Sequence, residues 1–196
     1  DSIYYYEKAI EIKSNYPEAF NNLATAYLNL GNKNLAIDNF KKALKINQNY
    51  TEVYNKLGAL FEEMSQFEDS LSNYKKAIEL KPDFEKPYNN LGNLLSNLGK
   101  YEEAEIRFNQ AIKIKPNYAK AYSNLLLNLN YKINFDPSFY LDVAKSFSNN
   151  CRIKKKIDFE YKYNKNPKKL KIGFISSDFG NHPGGYFTLS TLKELT

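Results

Sequence analysis

The 196 residues include 28 Lys and Arg, 22 Asp and Glu, one Cys, one His and no Trp, for a net charge of +6. The single Cys151 excludes an intramolecular disulfide framework or a cysteine-based metal cluster, and the single His182 excludes a multi-histidine metal site. No run of about 18 apolar residues exists to span a bilayer, and 42% hydrophobic with 26% charged residues is the balance of an ordinary folded chain.

The charge is unevenly placed. Residues 1–117 carry 15 basic and 16 acidic side chains, whereas residues 118–196 carry 13 and 6. Nine of the basic residues fall within 151–171, against Asp158 and Glu160. Asp1 opens in what already reads as helix, and Thr196 falls inside another expected helix. The sequence therefore reads as part of a longer protein.

A period of 34 runs through the front of the chain. Leu23, Leu57, Leu91 and Leu125 obey it, as do Phe20, Tyr54, Tyr88 and Tyr122. So do Ala36, Ser70 and Ala104, then Phe40, Tyr74 and Phe108, then Ala43, Ala77 and Ala111. Within each period, apolar residues recur at three- and four-residue spacings in two stretches, which predicts a pair of amphipathic helices. Gly31 and Gly99 punctuate the pairs at positions suited to a left-handed turn, and Ser65 holds that place in the middle unit. Small residues at Ala36 and Ala43 let the helices approach, with aromatics filling the space beside them.

The run Tyr88, Leu91, Gly92, Leu95, Ala104, Phe108, Pro116 is identified as a tetratricopeptide repeat. Residues 1–134 divide into a partial unit (1–15), three full units (16–49, 50–83 and 84–117) and a partial unit (118–134). The resemblance implies a right-handed solenoid with a concave face for proteins or peptides; a spacer or an oligomerisation surface is the plainer alternative. The residue before each repeated Leu is Asn22, Lys56, Asn90 or Asn124, on the helix expected to line the groove. A carboxamide donates and accepts at once, so such a row can hold a peptide backbone without reading its side chains. With 26 Asn in the chain, composition alone also places Asn there.

Residues 135–169 read as a capping helix and a basic linker. Asp136 and Pro137 form a helix start, and the helix is expected to run to about Asn149 with Phe139, Tyr140, Val143, Ala144 and Phe147 on one face. Pro167 interrupts the basic stretch that follows. That stretch reads as a solvated linker in preference to a docking site for an acidic surface or anionic ligand, or to a nucleic-acid contact, and Cys151 has no neighbouring base to make it a nucleophile.

Residues 170–196 read as the opening of an α/β domain. Leu170–Ser176 has the composition of a buried parallel strand, Ser177–Gly185 of a loop, and Tyr186–Leu195 of a helix. Ligands in such folds sit beyond the strand ends. Gly184 and Gly185 leave room there for an anion at the helix N-terminus, and His182 titrates where a base is useful.

The run Ser176-Ser177-Asp178-Phe179-Gly180-Asn181-His182-Pro183 resembles the start of the catalytic region of O-linked N-acetylglucosamine transferases. That family joins a tetratricopeptide superhelix to a two-lobed, Rossmann-like GT-B transferase. The resemblance implies transfer of N-acetylglucosamine from UDP-N-acetylglucosamine to Ser or Thr of proteins, with no essential metal and no cofactor held by these residues. It places His182 at the active-site histidine, with Asp178, Pro183, Gly184 and Gly185 in the same loop. It also places Asn22, Asn90 and Asn124 in an asparagine row gripping the acceptor, from which Lys56 departs. No residue is assigned to uracil or diphosphate, so residues 1–196 alone are expected to be inactive. The alternative is a repeat adaptor without enzymatic activity. One Cys and the lack of a membrane segment suggest a cytoplasmic setting.

Overall fold

The computed structural model describes residues 2–134 and 136–151, and among them every regular element is a helix. α1 spans Ser2–Ile12. Three pairs follow: α2 (Pro17–Asn29) with α3 (Lys33–Ile46), α4 (Thr51–Glu63) with α5 (Phe67–Leu80), and α6 (Glu85–Asn97) with α7 (Tyr101–Ile114). α8 (Ala119–Leu129) and α9 (Pro137–Cys151) complete the order. The strand, loop and helix expected over 170–196 lie outside the described residues, as does the basic stretch from Arg152 onward.

The 34-residue period is a period of burial. Phe40, Tyr74 and Phe108 are at most 1% exposed, and Ala36, Ser70, Ala104, Ala43, Ala77 and Ala111 are fully enclosed. Leu23, Leu57, Leu91 and Leu125 are buried opposite them. The two helices of a unit approach so closely that a side chain on the first has no room. A Cβ added to Gly58 would sit 2.6 Å from the Tyr74 ring, and one added to Gly92 would sit 2.6 Å from the Phe108 ring. From α5 onward one continuous cluster runs through Tyr74, Leu91, Leu95, Phe108, Leu125 and Val143, so each unit is completed by the next.

The turns within pairs share one backbone solution. Gly31 and Gly99 have φ of 77° and 75°, and Ser65 has φ of 58°. After each, an N–H returns to the preceding helix: Asn32 to the Tyr27 carbonyl, Gln66 to Phe61 and Lys100 to Leu95, at 2.8–2.9 Å. Paired with the bonds that Gly31, Ser65 and Gly99 donate three residues back, this is the Schellman arrangement that satisfies orphan carbonyls. Ser65 adopts the left-handed region against the preference of its Cβ.

α9 starts at Pro137 because Asp136 caps it. The Asp136 Oδ1 accepts the Ser138 N–H at 2.9 Å and the Phe139 N–H at 3.3 Å. The helix continues two residues past the expected Asn149. It buries Val143 against α8, stacks Phe147 on Tyr122 at 5.7 Å, and ties Asn150 Nδ2 to the Tyr122 hydroxyl at 2.9 Å. No helix among the described residues is long and apolar enough to cross a membrane.

Two substitutions test this account by thermal unfolding. Ser65→Gly should raise Tm, because removing the Cβ relieves about 1 kcal/mol of left-handed strain. Gly92→Ala should lower it: overpacking the Phe108 ring costs about 1–3 kcal/mol, against about 1 kcal/mol gained in helix propensity. An unchanged Tm for Gly92→Ala would mean that the ring moves aside freely.

Candidate functional site

The first helices of successive units, α2, α4, α6 and α8, stand side by side, and polar contacts run across them. Asn22, Lys56, Asn90 and Asn124 all lie on these helices. Asn22 is exposed and the other three are half-buried. The predicted row does not act alone, because a second row one residue earlier meets it. Lys56 Nζ donates to Asn21 Oδ1 at 2.9 Å, Asn90 Nδ2 to Asn55 Oδ1 at 3.1 Å, and Asn124 Nδ2 to Asn89 Oδ1 at 2.9 Å. Each contact spans 35 residues. Within a helix, Asn21 donates to Asn22 at 3.2 Å and Asn89 to Asn90 at 3.3 Å.

The result is a ladder of carboxamides running across the units. A carboxamide has two N–H donors and an oxygen with two lone pairs. Asn90 uses one donor on Asn55 and one acceptor position on Asn89. It keeps one of each for a ligand. The ladder also fixes the rotamers, so the ordering cost is met before a ligand arrives.

Lys56 continues the ladder where the sequence departs from Asn. Its ammonium donates to both Asn21 Oδ1 and the Thr25 hydroxyl, each at 2.9 Å, and lies 5.7 Å from the Phe40 ring centroid. Burial pushes the Lys56 ammonium below its ordinary pKa; Glu52 opposes that and Lys86 adds to it.

Two clefts open along these helices. One, of about 310 Å³, lies between α1 and α2 and is lined by Tyr6, Asn22, Thr25 and Asn29 among others. The second, of about 410 Å³, is lined by residues of α4, α6, α7 and α8, including Glu62, Asn93, Asn97 and Asn124, with Tyr101 and Tyr131. Glu62 stands on the groove side of α4 with both carboxylate oxygens occupied. Oε2 accepts the Tyr74 hydroxyl at 2.9 Å and Oε1 accepts Asn97 Nδ2 at 3.3 Å. Burial raises the Glu62 pKa above its ordinary value; the Tyr74 and Asn97 hydrogen bonds and Lys120 oppose that, while Glu63 reinforces it. Neither the Asn21–Asn55–Asn89 row nor Glu62 was singled out in the sequence. The available signal was the recurrence of polar pairs 35 apart, at Asn21–Lys56, Asn55–Asn90, Asn89–Asn124 and Glu62–Asn97.

His182, Asp178, Pro183, Gly184 and Gly185 lie outside the described residues. Cys151 is the last residue of α9, half-buried against the core, and burial pushes its thiol above the ordinary pKa. A raised thiol holds little thiolate at neutral pH.

A tetratricopeptide-repeat family model matches residues 17–50 and 86–118, and a second TPR-repeat model matches residues 63–99. The chain carries tetratricopeptide repeats. Solved structures with the same fold include MamA, at 23% identity over 81% of this chain and 86% of that one, with a TM-score of 0.67. YrrB, described as a TPR protein with an unusual peptide-binding site, matches at 24% identity over 75% of each chain, with a TM-score of 0.59. A mutant O-GlcNAc transferase of Thermobaculum terrenum matches at 23% identity over 68% of this chain, with a TM-score of 0.62. That match covers 26% of the transferase. Likeness at this level of identity shows the fold. No curated protein matches the chain.

Glu62 gives a pH test of the groove. Its folded-state pKa is raised, so the folded chain binds the proton more tightly than the unfolded chain does. The stability this contributes is complete below the ordinary value of 4.5 and is lost as pH rises through the folded-state pKa. Denaturant unfolding of wild type and Glu62→Gln, compared from about pH 4 to 7, should show wild type losing stability relative to the variant as pH rises. A constant difference across that range would mean the carboxylate is as well solvated as in the unfolded chain.

Proposed function

We propose that the repeats are a binding module whose groove holds an extended segment of another protein. The observation that supports this best is the ladder of carboxamides across α2, α4, α6 and α8. An extended peptide presents N–H and C=O groups at a regular spacing and in alternating directions. The free donor and acceptor of each groove carboxamide suit either one. Such contacts hold a backbone largely independently of its side chains, which suits a module with several partners. YrrB, a repeat protein of the same fold described as having an unusual peptide-binding site, is in keeping with this reading.

A second reading, that the groove delivers Ser or Thr acceptors to a sugar-nucleotide transferase, draws support from the Ser176–Pro183 loop and from the fold shared with the Thermobaculum terrenum transferase. In that reading His182 serves the acceptor hydroxyl as base or as a binding residue, with UDP-N-acetylglucosamine as donor. Residues 1–196 alone should release no UDP from that donor. Release abolished by His182→Ala would place the reaction within this chain.

The binding reading is tested with random peptides displayed on phage and selected on the whole chain. Selected peptides should bind through the groove. Asn90→Ala and Asn124→Ala should each weaken them about fivefold, the worth of one hydrogen bond near 1 kcal/mol, at a temperature below the lowered Tm that Asn124→Ala gives by leaving the buried Asn89 Oδ1 without its donor. Binding that survives loss of both side chains would exclude the ladder as the site.

A further inference from the structure

The cleft between α4, α6, α7 and α8 has a chemistry of its own. Its lining joins one carboxylate, Glu62, to the amides of Asn93, Asn97, Asn124 and Asn128, and among the described residues no Lys or Arg lines it. Asn128 is 1% exposed. Its Nδ2 is committed to the Tyr101 carbonyl at 2.9 Å, and its Oδ1 has no hydrogen-bond partner among the described residues. An enclosed acceptor without a donor carries a desolvation cost that a donating ligand can offset. Tyr101 and Tyr131, whose rings stack at 5.8 Å and 18°, stand on the same cleft. Tyr131 is 56% exposed, so part of that aromatic surface is open.

We propose that this cleft is a subsite for an arginine side chain of the peptide held in the groove, with Glu62 as its counter-charge and Tyr131 as its stacking surface. The inference rests on the peptide-binding reading and adds a residue preference to it. A guanidinium supplies five donors to a lining rich in acceptors, pairs with a carboxylate in a planar fork, and stacks on an aromatic face. A lysine ammonium supplies the charge without the plane. An acidic side chain meets Glu62 itself and is repelled. Among the described residues, the charged groups acting on Glu62 are Glu63 and Lys120, one of each sign. Burial already disfavours that charge in the empty groove, and a bound cation relieves this. The carboxylate is also held in place beforehand, by the Tyr74 hydroxyl and the Asn97 amide.

The test uses the peptides selected on the whole chain. They should share an arginine at one position. Replacing it with citrulline, which keeps the shape and removes the charge, should weaken binding about tenfold or more, as should replacing it with alanine; lysine should fall between. Glu62→Gln should weaken the arginine peptide by a similar factor and leave the alanine peptide unchanged. Gln keeps an acceptor for Tyr74, and Tm reports whether the fold survives. Should Glu62→Gln melt at the assay temperature, Tyr131→Leu carries the test, since that exposed ring leaves the core intact; it should erase the arginine-over-lysine preference. Peptides that bind, and that Asn90→Ala weakens, but that share no arginine or ignore both variants would overturn the subsite and leave the groove standing. If no peptide binds the chain, both readings fall.

Discussion

Each helix pair closes on an aromatic ring, Phe40, Tyr74 or Phe108, pressed against a first helix that offers it Ala24, Gly58 or Gly92. A larger residue at those positions meets the ring before the helices meet each other. In the second and third units, where that position is Gly, the contact limits how closely the two helices approach. Because the same burial recurs in each unit, the first helices fall into line and meet through residues 35 apart. The polar surface they present together follows from an apolar contact on their opposite side.

The groove floor inherits that regularity. Contacts between successive first helices join residues 35 apart, one more than the repeat, because a side chain reaches diagonally to the neighbouring helix. Asn is suited to this position because it donates to one neighbour and accepts from another. Lys56 can only donate, yet its longer reach satisfies both Asn21 and Thr25. Contact between successive first helices is therefore kept at every step and altered in character at the second unit. A ligand meets a rigid ammonium there in place of an amide oxygen.

The helix pairs were legible in the sequence because burial repeats: Leu23 to Leu125 and Phe40 to Phe108 mark the same structural place each time. The turn at Ser65 was legible by position, since it stands where Gly31 and Gly99 stand, although its residue type argues against it. The groove was half legible. A search at period 34 finds equivalent positions, such as Asn22, Asn90 and Asn124, but contacts between units run at 35 and escape it. The Glu62 cleft left one trace, the Glu62–Asn97 pair 35 apart, and none at the repeat period. Its equivalents in the other units are Leu28, Ser96 and Asn130, so no repetition points to it. The loop around His182 rests on resemblance and lies outside the described residues.

Among the described residues, the two flanking helices of the array differ in a way that gives it a direction. α1 buries no residue, whereas α9 covers its neighbour with Val143, the Phe147 ring and the Asn150–Tyr122 bond. In a structure stabilised by neighbour-to-neighbour contacts, opening starts where a unit has least to lose. Amide exchange should therefore be graded along the chain, fastest beside Asn22 and slowest near Asn124. Among the described residues, the groove floor is therefore braced more firmly beside α9 than beside α1, and an apolar stacking contact at one end decides how stiffly the polar face is held along its length.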